Sequence, residues 1–105
     1  MKTRLNIEQS AELIRLGVSV DKASGDCHLN PVFTIGDMLS MLPKSIRLGD
    51  FGIVYELDIS WYEMYGYWRV TYGGLADCRA TEVIYAMYGS LIQLIKCKQL
   101  KPQEL

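Results

Sequence analysis

A chain of 105 residues, half of them apolar, carries enough material for one modest hydrophobic core and leaves no room for a second domain. Its formal charge of −1 removes the general attraction to phosphate backbones that dominates nucleic-acid affinity. No stretch approaches the roughly 18 consecutive apolar residues of a membrane span, and no apolar signal core follows Met1-Lys2-Thr3-Arg4-Leu5-Asn6, so the expected location is cytoplasmic, with no membrane partner.

Asn6 followed by Gln9 is a capping-box signal, and Ile7, Leu13, Ile14 and Leu16 supply apolar positions for a helix over about 7–16, closed by Gly17. The segment 19–31 holds Ser24-Gly25-Asp26 and Asn30-Pro31 without sustained periodicity and reads as a mobile loop, with at most one short extended piece. Asp26-Cys27-His28 within it is the one cluster of metal-ligand types. It lacks a CxxC or HxxxH companion, so it reads as loop residues that hold no metal. Cys27, Cys78 and Cys97 are odd in number and widely spaced, unlike a disulfide framework. They read as reduced thiols, with Cys97 a small buried hydrophobe.

The next stretch, Phe33-Thr34-Ile35-Gly36-Asp37-Met38-Leu39-Ser40-Met41-Leu42-Pro43-Lys44-Ser45-Ile46, writes a helix with a start and a stop. Thr34 can accept from the Asp37 backbone N–H while the Asp37 carboxylate reaches back to the positive end of the helix. Ile35, Met38, Leu39 and Leu42 form an apolar stripe, and Pro43 disfavours helical geometry at Leu42, giving a helix over about 35–42. This stretch resembles a segment, aromatic-Thr-x-x-Asp-Leu-Leu-x-x-Leu-Pro-x-x-Ile, of small proteins without assigned activity encoded in prophages and mobile elements of Bacteroides-type bacteria. Met38 and Met41 stand where that family often has leucine or another residue. Ala11-Glu12-Leu13-Ile14-Arg15-Leu16-Gly17-Val18 and the apolar segment 82–100 extend the likeness over most of the chain. The resemblance implies an architecture, a phage or mobile-element origin and a bacterial host; it brings no catalytic residues with it.

Leu48-Gly49-Asp50-Phe51-Gly52 reads as a turn leading into a strand over about 53–61. From Tyr55 to Trp61 the alternation is strict, with Tyr55, Leu57, Ile59 and Trp61 on one face and Glu56, Asp58 and Ser60 on the other. Its partner over about 67–72 alternates Trp68, Val70 and Tyr72 with Tyr67, Arg69 and Thr71. Residues 62–66 close the hairpin, whose tryptophan face should pack on the helices. Gly73-Gly74 ends the second strand.

A last helix over about 81–98 carries a broad apolar band through Val83, Ile84, Met87, Tyr88, Leu91, Leu94 and Ile95, widened by Tyr85 and Ile92. Such a helix is central to the core or shared with a second subunit; Tyr85, Tyr88, Leu91 and Ile92 are the residues expected to mediate homodimer formation. Gly89 inside it implies a close crossing with another element. Lys96, Lys98 and Lys101 complement the dipole at its end. The expected fold is a small single α+β domain in the order α-α-β-β-α, its antiparallel hairpin supported by helices, a third short strand or a symmetry mate.

No nucleophile stands in a recognised local signature and no phosphate-binding glycine loop occurs, so neither an enzyme nor a cofactor is expected. The hairpin tip Tyr62-Glu63-Met64-Tyr65-Gly66-Tyr67 places three tyrosines and a methionine where a turn is normally polar. These residue types are enriched at protein interfaces, and Tyr62, Met64, Tyr65 and Tyr67 are the expected partner-binding residues, unless the tip folds back on the core. Glu56 and Asp58 are expected to meet Arg69 in an ordinary cross-strand ion pair. The leading expectation is an accessory protein that binds a protein partner. The alternative is nucleic-acid binding through the hairpin, with Arg69 among the tyrosines, against which the near-neutral charge weighs.

Overall fold

Both capping boxes form, and the second also anchors the segment before it. The structure, a computed structural model, describes residues 1–49 and 52–105. Asn6 Oδ1 accepts from the Gln9 N–H at 2.7 Å and Gln9 Oε1 accepts from the Asn6 N–H at 3.1 Å, opening α1 (Ile7–Arg15). Gly17 follows with φ +111°, in the conformation that ends a helix at low cost in glycine. Thr34 and Asp37 exchange the matching pair of bonds at the start of α2 (Ile35–Met41). The Asp37 carboxylate also accepts from the Ser24 N–H at 2.8 Å and the Ser24 hydroxyl at 2.9 Å, which pins the preceding segment to the helix.

That preceding segment is more ordered than its composition implies. β1 (Gly25–Cys27) and β2 (Asn30–Val32) pair antiparallel across a two-residue turn, in which His28 and Leu29 both have positive φ, 51° and 67°. Such a turn is normally signalled by Asn-Gly, and His-Leu gives no such signal. Val32 and Phe33 are fully buried, and the N-terminal residues continue the pairing, with Leu5 N–H donating to Phe33 O at 2.8 Å and Ile35 N–H to Thr3 O at 2.9 Å.

The run expected as one strand over 53–61 is two strands in two sheets. β4 (Ile53–Glu56) pairs with β3 (Ser45–Leu48), while β5 (Asp58–Tyr62) pairs with β6 (Tyr67–Thr71). The exchange falls at Leu57, whose N–H donates to Lys44 O at 2.9 Å. Alternation reports which face a side chain takes and says nothing of which neighbour the backbone pairs with. A further strand, β7 (Asp77–Ala80), adds to β6, so the larger sheet runs β5-β6-β7. Among the described residues the order is therefore α1-β1-β2-α2-β3-β4-β5-β6-β7-α3, an α+β domain whose three sheets are all antiparallel. The expected turn at 48–52 lies partly at positions 50 and 51, outside the described residues.

α3 (Val83–Lys96) lies across β6 and β7 and closes the core with Ile84, Leu91 and Leu94 against Leu13, Met38 and Tyr72. Gly89 marks the crossing: a Cβ there would overlap the Cys78 Sγ on β7. The buried Ser90 hydroxyl donates to Val70 O at 2.6 Å, and the Tyr72 hydroxyl donates to Pro43 O, tying the end of α2 to the sheet. Two apolar assignments shift. On α2, Met38, Met41 and Leu42 are buried while Leu39 is exposed, because the face turned to α3 runs through the methionines. Cys97, expected inside, is exposed at the C-cap of α3, one residue past the last turn. Among the described residues no helix is long and apolar enough to cross a membrane.

Candidate functional site

The register of the β5–β6 hairpin sets its tip. Tyr62 faces Tyr67, Trp61 faces Trp68 and Ser60 faces Arg69. Pleating sends Ile59, Trp61, Trp68 and Val70 to the side covered by α3, and Asp58, Ser60, Tyr62, Tyr67 and Arg69 to the open side. The loop from Glu63 to Gly66 is tight, since Tyr62 O accepts from both the Tyr65 N–H at 3.2 Å and the Gly66 N–H at 2.8 Å.

Three tyrosine rings pack on one another there, Tyr65 stacked on Tyr67 and Tyr62 tilted against it. Tyr62 and Tyr67 ring centroids lie 5.3 Å apart, and Tyr65 stacks on Tyr67 at 5.8 Å with 19° between the planes. The Arg79 guanidinium sits over the Tyr67 ring, 5.5 Å from its centroid. Met64 is 91% exposed and Tyr65 70%. The tip therefore projects into solvent, and the alternative in which it folds back does not occur. The tryptophan face divides: Trp68 packs against the core, whereas Trp61, 5.5 Å from it, is 43% exposed with its indole N–H donating to the Glu63 carboxylate.

Arg69 does not meet Glu56 or Asp58. It forms a bidentate pair with Asp77, Nε to Oδ1 and Nη2 to Oδ2 both at 2.9 Å, and a longer bond to the Tyr62 hydroxyl at 3.4 Å. β7, the short third strand that the hairpin was expected to need but whose place the sequence left open, supplies this partner. The Arg69 guanidinium in turn holds the Asp77 carboxyl below its usual value, through the hydrogen bonds first and charge second. Asp58 instead accepts from the Ser60 hydroxyl at 2.6 Å, and Glu56 lies opposite Ser45.

The residues expected to self-associate are placed differently. Leu91 is 0% exposed, inside the core and off every surface, whereas Tyr85, Tyr88 and Ile92 are half-buried and pack on the core's margin. Lys2 lies over the Tyr85 ring at 5.7 Å. A surface cavity of about 450 Å³ opens beside Tyr85, walled by Thr3, Arg4, Ile7 and Cys27. Among the described residues no three His, Cys, Asp or Glu side chains cluster to hold a metal ion. The tip offers contact area in phenol, indole and thioether groups, with charge supplied by Arg79. Asp77 and Arg79 were missed by sequence reading, because Asp-Cys-Arg-Ala alternates too briefly to announce a strand.

Compared with protein-family models, curated proteins and solved structures, the chain matches none.

Proposed function

We propose that this chain is a non-enzymatic accessory protein of phage or mobile-element origin, which binds a protein partner through its aromatic hairpin tip. The observation that carries the reading is the exposure of Met64 and Tyr65 at the end of a hairpin whose tyrosines already stack. Large apolar side chains held in water gain nothing for the fold at roughly 25 cal/mol per Å² of apolar area left unburied, and a partner that covers them recovers that term. Stacking before contact also lowers the ordering cost of association, which is commonly about 0.5–1.5 kcal/mol for each side chain immobilised. Substituting both residues, Met64→Ala with Tyr65→Ala, should leave folding intact and abolish partner capture; a partner held equally well by the variant removes the tip from the proposal. Any self-association through α3 would use the part-exposed Tyr85, Tyr88 and Ile92.

A second reading, nucleic-acid binding on the open sheet face, is favoured by Tyr62, Tyr67 and Arg79 lying together. Its electrostatics weigh against it, since Arg69 is neutralised by Asp77, which also lies 3.9 Å from Arg79. Titrating single- and double-stranded DNA from low salt upward separates the two readings: the protein-partner reading expects no binding even at low salt, and binding that weakens steeply with salt would favour the second.

A further inference from the structure

The larger sheet ends in two edges and treats them differently. At β7 the Gln93 side chain on α3 acts as a short surrogate strand: its Oε1 accepts from the Asp77 N–H at 2.9 Å and its Nε2 donates to the Asp77 carbonyl at 2.7 Å. That amide closes the outer backbone groups at Asp77. At β5 nothing comparable is present: among the described residues β6 is its only ladder partner, and no hydrogen bond reaches the outward backbone groups of Ile59 and Trp61. An open edge is normally blunted by proline, lysine or a bulge, and Asp58-Ile59-Ser60-Trp61-Tyr62 contains neither residue and pairs with β6 without a bulge.

The charge along the open part of this edge is mainly negative: Asp58 and Glu63 are exposed, and Lys44 stands only at its start, where its carbonyl accepts from Leu57 N–H. Arg69, on the neighbouring strand, is held by Asp77. Asp58 and Glu63 accept bonds only from the neutral Ser60 hydroxyl and Trp61 indole. A second copy of the chain, paired antiparallel about Ser60, would align Ile59 with Trp61 but would crowd Asp58 and Glu63 of each copy onto one seam. Complementarity calls instead for a basic strand.

We propose that a basic, extended segment of the protein partner adds to the sheet as a fourth strand along β5. Its main chain pairs with the open edge, its alternate apolar side chains cover Ile59 and Trp61, and its lysines or arginines lie beside Asp58 and Glu63. This rests on the interaction-module reading and states what the partner presents to it; the exposed tip at Met64 and Tyr65 continues the same surface.

The test selects peptides from a display library of random linear sequences on the immobilised protein, then follows the backbone amides of the full chain by NMR with the enriched peptide. Enriched sequences should alternate apolar and basic residues and should protect the outward amides of Ile59 and Trp61 from exchange, those of Asp58, Ser60 and Tyr62 being already turned to β6. Methylation of alternate peptide nitrogens should abolish binding, and the surface variant Asp58→Lys with Glu63→Lys should weaken it roughly tenfold. Enrichment of acidic or proline-rich peptides, amide shifts confined to other faces, no enrichment at all, or protection of β5 by self-association at rising protein concentration would each overturn the proposal. The tip variant Met64→Ala with Tyr65→Ala separates the two claims: edge binding lost while the tip still governs partner capture leaves the module reading standing and removes this one.

Discussion

A methyl group at position 89 would meet the Cys78 sulfur, so the usual advantage of alanine over glycine within a helix, about 1 kcal/mol, is reversed by overpacking that typically costs about 1–3 kcal/mol. Gly89→Ala should therefore lower the urea midpoint, and adding Cys78→Ala should restore part of the loss; a stabilised Gly89→Ala would show that α3 crosses β7 less closely. Asp37 makes a second case. Partial burial pushes its carboxyl up, but hydrogen bonds from Thr34 and Ser24 together more than offset this and leave it below the ordinary value. A carboxyl depressed in the folded state stabilises fully above its unfolded value near 4, and that contribution is lost as pH falls through the folded value. Asp37→Asn should cost about 1 kcal/mol at neutral pH, in the range of a lost cap. The difference in stability between wild type and variant should shrink on acidification below about pH 4. A difference independent of pH would mean that geometry at this cap matters and charge does not.

β7 is held at both of its sides, by the ladder to β6 and by the Gln93 amide. Gln93→Leu leaves two backbone groups of Asp77 without partners, which costs about 1–3 kcal/mol for each such group if it stays buried and less if water reaches it. Exchange at the Asp77 amide should quicken in this variant more than at Val70 in the neighbouring strand; uniform quickening would indicate global destabilisation alone. What could be read from residues divides along the same line. Caps, the proline stop after α2 and the Gly89 crossing are local signals, and each appears where Asn6, Thr34, Pro43 and Gly89 put it. The hairpin β5–β6 was legible from its alternation and its tip from tyrosines in a turn. The division at Leu57, the His28-Leu29 turn and β7 were not, because they depend on which strand lies alongside, a non-local fact that a short alternating run does not encode. The Arg69–Asp77 pair was lost with β7, and with it the neutral character of the open face.

The molecule as a whole keeps its core under α3, with Leu91, Leu94 and Ile84 closed against both helical and strand elements, and leaves the hairpin end outside it. The fold and the proposed recognition are thereby separable: α3, whose apolar band admitted either burial or self-association, has its central Leu91 inside, whereas Met64 and Tyr65 belong to no core cluster. Surface substitutions away from caps and networks usually change stability by less than about 0.5 kcal/mol. The proposal that the tip serves recognition and not folding is tested most directly by one paired measurement on Met64→Ala with Tyr65→Ala: the urea midpoint, and the amount of partner recovered from the host extract with wild type as reference. An unchanged midpoint with partner recovery lost is the predicted result. A midpoint lowered by more than about 1 kcal/mol equivalent, or full recovery by the variant, would contradict it.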